Sequence, residues 1–369
     1  MDRAKTSIQI HINDAMLLLL SFIFVLFILT ELAKTLLITI TFILLFCLMF
    51  LNLRSIRNEY VILIFFNILS VICTLVMYKG IGVALIFLTL LLSCVCFNSI
   101  SFSKEARRWA YLICCLGLLV MLASASDIYR PYGWLVFIDK YGNVVNNNTL
   151  GIFSVGFCFC LVTWNDIRKG KKWKKIISFV TFAVTFYFVF LTECRSAMLV
   201  LLLYFVLQLV IKKKLSDIVF RRSVMFVLLL SLLFTFFYAV LYSVWPNAMI
   251  LGKELFSGRE GIWIEAFEQI KTNLIFGSGT EFTVSGFESV HNMLLGVWKN
   301  MGVIPMISII AVFVIRGRVP ISRKQQIMLL SILIFSFFES FMMDFKFLLL
   351  FVFLLTGTNE SSTFEKMEW

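Results

Sequence analysis

Three side chains in this sequence have the chemistry to act together on a phosphate-linked substrate. Arg195 and Arg259 carry guanidinium groups, which stay charged and bind phosphate oxygens through a planar fork. His291 carries an imidazole, which can accept a proton near neutral pH. Two anion-binding groups and one base suit the attack of a hydroxyl on a group that is linked to pyrophosphate. This hypothesis requires that all three residues lie on one side of the molecule.

The composition shows what kind of scaffold must position these residues. Of the 369 residues, 61% are hydrophobic and only 15% are charged, and the mean hydropathy is +0.97. These values exclude a disordered chain, a disulfide scaffold and an ordinary soluble enzyme, and they predict a polytopic membrane protein of the all-α class. Apolar runs predict twelve transmembrane segments, at about 15–32, 35–53, 60–78, 81–98, 109–125, 148–164, 176–193, 196–211, 223–245, 291–315, 325–341 and 345–356.

The distribution of charge orients these segments. With both termini in the cytosol, the basic clusters fall on alternate loops, and 23 of the 33 basic residues lie inside. The inner face is then +14 and the outer face −2, which together give the formal net charge of +12. The basic excess therefore anchors the chain in the membrane and indicates no nucleic-acid partner. The same topology places Arg130, Arg195, Arg259 and His291 outside, and it was derived without them.

Two long outer loops, 126–147 and 246–290, belong to a single predicted domain. In the second loop, Ser257 and Glu260 form a capping box. Apolar residues then recur at helical spacing, at 262, 263, 266, 267, 270 and 274. We therefore expect an amphipathic helix at the outer interface, with Arg259 in its first turn and its end at Gly277 and Gly279.

Each candidate also has a simpler interpretation. Arg130 could extend to lipid headgroups, and Arg195 could pair only with Glu193. The helix after Ser257 could be a surface helix without a ligand, and His291 could be an interfacial histidine that bonds to a carbonyl. Their common location on the outer face favours function.

Cysteine and histidine give no sign of a metal site. His11 and His291 are the only histidines, and no Cys/His spacing suits zinc. Nine cysteines lie in or at the end of apolar runs, which is typical of buried thiols and not of disulfides.

Four short motifs resemble the O-antigen polymerases and O-antigen ligases of bacterial polysaccharide assembly. Asn146-Asn147-Asn148-Thr149-Leu150-Gly151 is similar to an Asn-Asn-x-Leu-Gly region of that superfamily. Glu193-Cys194-Arg195-Ser196 is similar to its Ser-Arg motif, with Cys in place of Ser. Ser257-Gly258-Arg259 followed by Trp263 resembles its Ser-Gly-Arg-x-x-x-Trp box, and His291-Asn292 with Gly302 resembles its His-Asn box. The resemblance covers about residues 140–305.

The resemblance implies a metal-independent, GT-C-like membrane glycosyltransferase without a cofactor, in the bacterial inner membrane with a periplasmic site. Its substrates would be glycans on undecaprenyl pyrophosphate, as both donor and acceptor. By position, Arg195 and Arg259 would bind the donor pyrophosphate, and His291 would deprotonate the acceptor hydroxyl. Weaker candidates for sugar or phosphate contacts are Tyr129, Arg130, Tyr132, Asn148 and Asn292. Glu193 and Glu281 are alternatives as the base or as a residue that orients a neighbour. Chain length in this superfamily is controlled by a separate co-polymerase.

Three functions remain open from the sequence. The stretch Val303-Ile304-Pro305 stands where a ligase often has a second glycine, and the loop before His291 is compact. Both features favour a polymerase, which joins repeat units, over a ligase, which transfers the glycan to lipid A core. A flippase for the same lipid-linked unit is a third possibility, but transporters tend to carry charges at the bilayer midplane. Here the spans are nearly free of charge and the charges lie at the outer rim.

Overall fold

The computed structural model describes residues 2–30, 34–78, 81–129, 136–139, 144–167, 173–246, 249–250, 253–254, 259–278, 290–316 and 322–338. Within these ranges the chain is predominantly helical, as the composition predicts. The α-helices, numbered α1 to α13, are Asp2–Leu29, Lys34–Leu51, Asn58–Tyr78, Ile81–Ser99, Lys104–Ser124, Asn147–Ile167, Lys174–Leu191, Arg195–Val210, Asp217–Val244, Arg259–Thr272, Met293–Met301, Val303–Arg316 and Arg323–Leu333. Short 3₁₀ helices occupy Leu53–Ser55 and Ile334–Phe337, and we call the second one the 334–337 turn.

Membrane-length helices are fewer than the twelve predicted spans. In the described ranges, six helices are long and apolar enough to cross a bilayer: Gln9–Leu29, Asn58–Val76, Lys104–Ser124, Asn148–Ile167, Lys174–Leu191 and Asp217–Val244. Four shorter apolar helices cover Thr35–Leu51, Ala84–Ser99, Arg195–Val210 and Val303–Ile315. The predicted span 345–356 lies outside the described residues. The count of twelve is therefore not confirmed, whereas the membrane class is.

Two predicted spans are broken in the structure. The segment 291–315 divides at Gly302 into α11 and α12, because the backbone at Gly302 has a φ of 90° and cannot continue a helix. The segment 325–341 is helical only to Leu333 and then tightens into the 334–337 turn. Hydropathy averaged over a whole span does not detect either break, since both segments are predominantly apolar.

One large core holds most of the helices together. α1 packs on α5, α5 on α6, and α6 on both α7 and α8, with Phe24, Leu118 and Phe153 fully buried among them. The outer sides of the helices remain apolar: Phe65 and Phe226 are 66% and 64% exposed. Such surfaces would be unfavourable in water and suit contact with lipid tails.

Buried polar side chains also join helices. The amides of Asn13 and Asn52 exchange two hydrogen bonds, at 3.1 and 2.9 Å. Asn67 on α3 donates from Nδ2 to Oγ of Ser308 on α12, at 2.8 Å. Hydrogen bonds of this kind add specificity to helix packing in a membrane.

Two small antiparallel sheets lie in the predicted outer loops, so the fold is not purely helical. Strands β1 to β3 are Ala125–Tyr129, Val136–Asp139 and Val144–Asn146, and β4 and β5 are Met249–Ile250 and Lys253–Glu254. In the first sheet, Val136 pairs with both Tyr129 and Asn146. Its strands are rich in β-branched and aromatic residues, which favour extended backbone. β3 leads directly into α6, so the sheet sets where α6 begins.

All nine cysteines are free thiols, and seven of them are buried. The interpretation of most of them as small core side chains is therefore confirmed.

Candidate functional site

Arg195 lies at the tight connection between α7 and α8. α7 ends at Leu191, and Thr192 is buried and donates its hydroxyl to the carbonyl of Val189, at 2.8 Å. Glu193 then has a φ of 56°, in the left-handed region that non-glycine residues rarely occupy. This reversal places Arg195 as the first residue of α8, where its side chain is exposed. The backbone N–H groups of a first helical turn lack helical partners and favour anions, so Arg195 is well placed for a phosphate.

The start of α6 packs directly against this connection. The thiol of Cys194 lies 4.0 Å from the carbonyl oxygen of Asn148. A Cβ added at Gly151 would lie 2.4 Å from Sγ of Cys194 and 3.0 Å from Cβ of Ala197. Only a glycine lets the two elements approach this closely. The structure thus brings together two motifs that are more than 40 residues apart in the sequence.

Substitution of Gly151 by alanine tests this approach. We expect the added methyl to push α6 away from Cys194, with a loss of roughly 1–3 kcal/mol in the free energy of unfolding and reduced activity. Thermal unfolding of the purified protein measures the first effect. Gly82→Ala on α4 is the control, because no atom lies within 4 Å of its added Cβ. Equal stability of the two variants would contradict the close contact.

Arg259 is the first residue of α10, as the sequence predicts for the first turn of an amphipathic helix. Its Nη1 donates to the carbonyl of Phe338, at 2.8 Å. α10 packs through one face, whose buried residues have the predicted helical spacing: Ile262, Trp263, Ala266 and Ile270. The indole of Trp263 donates to the carbonyl of Val290, at 2.7 Å, directly before His291.

The predicted end of this helix is wrong by several residues. α10 ends at Thr272, and turns at 273–276 follow, before Gly277 with a φ of 69°. The buried stripe of α10 already ends at Ile270, and Leu274 is 52% exposed. The apolar residue at 274 therefore continued the helical pattern without being part of the helix. Ser257 and Gly279, the other predicted boundary residues, lie outside the described residues.

His291 precedes α11 and is held in an unusual backbone conformation. Its φ is 53°, and its side chain is half-buried. Among the described non-glycine residues, positive φ occurs at Glu193 and His291 alone. Such strain tends to persist where the surrounding structure enforces it, often at functional sites.

Asn292 has a structural role that its motif did not reveal. It is fully buried and is the N-cap of α11, where its Oδ1 accepts from the backbone N–H of Leu295, at 2.9 Å. Its Nδ2 donates to Oγ of Ser231 on α9, at 2.9 Å. These bonds fix Asn292 between α9 and α11, directly after His291, and its predicted contact with sugar or phosphate stays a prediction.

The break at Gly302 fixes the far end of α11. The backbone N–H of Val303 donates to the carbonyl of Leu274, at 3.2 Å, and that of Ser278 to the carbonyl of Lys299, at 2.7 Å. A Cβ added at Gly302 would lie 1.8 Å from the carbonyl oxygen of Ile275. The segment that follows α10 is thus bound to the end of α11 by backbone hydrogen bonds and close packing.

Gly302→Ala is expected to be strongly destabilising. Gly302 has φ 90° and ψ −179°, a region that is nearly exclusive to glycine and costs about 1–3 kcal/mol for other residues. The clash with Ile275 adds to this cost, since a backbone atom must move. Gly261→Ala in α10 is the control, since its added Cβ meets nothing within 4 Å, and a helical Gly→Ala change there should gain about 0.5–1 kcal/mol. Denaturant unfolding compares the two variants. A Gly302→Ala protein with the wild-type free energy of unfolding would contradict the close contact with Ile275.

The 334–337 turn is a common contact of several helices near the candidate residues. It contacts the three helices α8, α9 and α11. Arg195 is the first residue of α8, Ser231 lies on α9, and His291 comes shortly before α11. The carbonyl of Phe338, directly after the turn, holds Arg259. Phe337 and Phe338 both pack against Phe234, with ring centroids 5.7 and 5.8 Å apart. The turn therefore contacts the helix that begins with Arg195 and the helix that follows His291, and Arg259 bonds to the residue directly after it.

Sequence reasoning missed Ser231, Ser336 and Phe338. Ser231 is one of several serines in apolar segments, and only its contact with Asn292 distinguishes it. Of the remaining candidates, Tyr129 is the last residue of β1. Arg130, Tyr132 and Glu281 lie outside the described residues. In the described part of the chain, no group of three or more Asp, Glu, His or Cys side chains is arranged to hold a metal ion.

Residues 180–310 match the family model described as O-antigen ligase. This segment runs from α7 into α12, and it contains Arg195, Arg259 and His291. This part of the chain is thus similar to that family. The match covers about a third of the 369 residues, and no curated protein sequence matches the chain. The match and the apolar helices together indicate a membrane protein.

Proposed function

We propose that the protein is an O-antigen polymerase of the bacterial inner membrane. It joins oligosaccharide repeat units that are carried on undecaprenyl pyrophosphate, at the periplasmic face, with both termini in the cytosol. The observation that carries this proposal is that α8, α9 and α11 contact the 334–337 turn and that Arg259 bonds to Phe338 directly after it. The three helices and Arg259 belong to the segment that matches the family model. No cofactor or metal ion takes part in the proposed reaction.

The reaction transfers the growing chain in one step. A hydroxyl of the acceptor sugar attacks the anomeric carbon of the donor chain and forms the new glycosidic bond. The bond between that carbon and the pyrophosphate oxygen breaks, and undecaprenyl pyrophosphate leaves. The hydroxyl proton passes to an imidazole nitrogen of His291.

Arg195 and Arg259 bind the pyrophosphate of the donor. Negative charge develops on the leaving oxygen in the transition state, and fixed guanidinium groups stabilise it there more than in the ground state. The guanidinium of Arg259 is fixed in this way, because its Nη1 donates a hydrogen bond to the carbonyl of Phe338.

An apolar groove on α7 and α8 suits the lipid tail of the carrier. It has a volume of about 360 Å³ and is lined by Phe179, Phe182, Ala183, Phe186, Tyr187, Phe190 and Phe205. Because α7 leads into the Glu193–Arg195 connection, the groove and Arg195 lie on consecutive parts of the chain. A polyprenyl chain in the groove would bring its pyrophosphate to that end of α7.

A polymerase is favoured over a ligase by the sequence after Gly302. There the chain continues as Val303-Ile304-Pro305, which opens α12, in place of the second glycine of many ligases. A separate co-polymerase would set the chain length of the product.

Polymerisation by the purified protein tests the proposal. The protein is incubated with a defined undecaprenyl-pyrophosphate-linked repeat unit, and the products are separated on a gel. A ladder of oligomers is expected, without a membrane gradient and with chelator present. A parallel reaction adds lipid A core as acceptor. Transfer to that core without a ladder would establish a ligase, and absence of both products in the presence of transport in vesicles would establish a flippase.

A further inference from the structure

A chain of buried hydrogen bonds links the 334–337 turn to the residue beside His291. The hydroxyl of Ser231 donates to the carbonyl of Ser336, at 3.0 Å, and accepts from Nδ2 of Asn292, at 2.9 Å. All three side chains are fully buried. A hydroxyl has one proton to donate, so the bond to Ser336 determines that Ser231 presents a lone pair to Asn292.

This chain defines the position of Asn292 from both ends. Its Oδ1 caps α11 at Leu295, and its Nδ2 reaches Ser231 and, at 3.4 Å, also the carbonyl of the same residue. Asn292 therefore cannot rotate without losing buried hydrogen bonds, each of which is costly to leave unmade. The left-handed backbone of His291 immediately precedes this fixed point. A strained conformation persists only where its surroundings enforce it, and here the enforcement passes through Ser231.

The same turn also holds Arg259. The carbonyl of Phe338 accepts from Nη1 of Arg259, two residues after the carbonyl of Ser336 accepts from Ser231. Phe234, three residues after Ser231 on α9, packs against the rings of Trp263 and Phe338, with centroids 6.0 and 5.8 Å apart. One backbone segment thus sets the position of a phosphate-binding group and of the proposed base.

We propose that Ser231 is a positioning residue, whose hydroxyl, held by the 334–337 turn, fixes Asn292 and so the direction in which His291 presents its imidazole. This inference rests on the proposed function for the role of His291. The geometry that it concerns can be tested without that function.

The kinetic test compares Ser231→Ala with Ser223→Ala in the polymerisation assay. Ser223 is the matched control, because it lies on the same helix and its hydroxyl bonds only locally, to the carbonyl of Val219 at 3.0 Å. For Ser231→Ala we expect kcat to fall by about 10-fold to 100-fold, the scale of a small misplacement of a reacting group, with the KM for the lipid-linked donor unchanged. Ser231→Thr retains the hydroxyl and should recover most of the rate.

Ser231→Cys keeps the size of the side chain and covers the case in which Ser231→Ala does not fold. Its thiol is a weak donor and acceptor, so the folded protein should still have a reduced kcat. A wild-type kcat in Ser231→Cys, or a raised KM in place of a lowered kcat, would overturn the proposal. So would a Ser231→Thr protein that is as slow as Ser231→Ala at equal thermal stability.

A second measurement does not depend on catalysis. The chain has two histidines, so His11→Gln leaves His291 as the sole one. The rate at which diethyl pyrocarbonate modifies His291 in this background reports how tightly the imidazole is held. The double variant His11→Gln/His291→Gln is the blank. Modification should be faster after Ser231→Ala than after Ser223→Ala, because His291 is less tightly held. Equal rates would overturn the positioning role, whereas a wild-type protein that makes no polymer would overturn only the proposed function.

Discussion

Replacing either Arg195 or Arg259 by alanine is expected to abolish long polymer while the protein remains in the membrane. Each guanidinium is proposed to stabilise the charge that develops on the leaving pyrophosphate, and removal of one such preorganised group typically costs about 10²–10³ in kcat. The rate of ladder formation by purified protein, at matched protein amounts, measures the loss. Arg222→Ala is the control, because Arg222 is also exposed near a helix start but lies at the predicted cytosolic end of α9.

Lysine at these positions separates charge from geometry. Lysine keeps the positive charge but cannot offer the planar fork of two parallel N–H groups. We therefore expect Arg195→Lys and Arg259→Lys also to fail. Arg259→Lys has a second reason to fail, because the bond to Phe338 depends on a guanidinium nitrogen. Full-length polymer from both alanine variants would disprove the assignment of the pyrophosphate site.

Long apolar helices were the part of the fold that the sequence predicted best. α1, α3, α5, α6, α7 and α9 correspond to predicted spans, because twenty apolar residues in a row leave a chain few alternatives to a helix. The buried stripe of α10 was equally clear, since apolar residues at 262, 263, 266 and 270 lie on one face of an α-helix.

The breaks between helices were not predictable by the same means. At Gly302 the apolar run is interrupted only briefly, by Lys299 and Asn300, and the break depends on the backbone of Ile275, which packs there from another segment. The 334–337 turn likewise lies in the apolar stretch 332–338, in which Ser336 is the one polar residue. Both departures are set by tertiary contacts, which outweigh local propensity and leave no local pattern.

The candidate site shows the same division. Arg195, Arg259 and His291 were found because a charged residue at an apolar rim is unusual in itself. Ser231 and the carbonyls of Ser336 and Phe338 were missed, since a serine in an apolar helix and a backbone carbonyl carry no such signal. Residues proposed to touch substrate were therefore visible in the sequence, and the residues that position them were not.

Substitution of His291 is expected to have the other large effect, and its backbone allows chemistry to be separated from strain. Loss of a general base typically costs about 10²–10⁴ in rate. His291 has a φ of 53°, however, and histidine and alanine both bear the cost of a left-handed residue, about 1–2 kcal/mol. Asparagine and glycine accept this conformation far more readily, and neither can act as a base near neutral pH.

The three variants therefore give different results under the two explanations. If His291 is the base, His291→Asn, His291→Gly and His291→Ala all lose about 10²–10⁴ in kcat, and His291→Asn and His291→Gly unfold at a higher temperature than His291→Ala. If His291 matters for its backbone alone, His291→Asn and His291→Gly retain the wild-type rate, which would contradict the proposed base. His11→Asn is the control, because His11 is exposed on α1 and is the other histidine of the chain. Because Ser231 acts through the same backbone, adding Ser231→Ala to His291→Asn should cost little further activity. A full second loss would mean that Ser231 serves the reaction by a route that does not pass through His291.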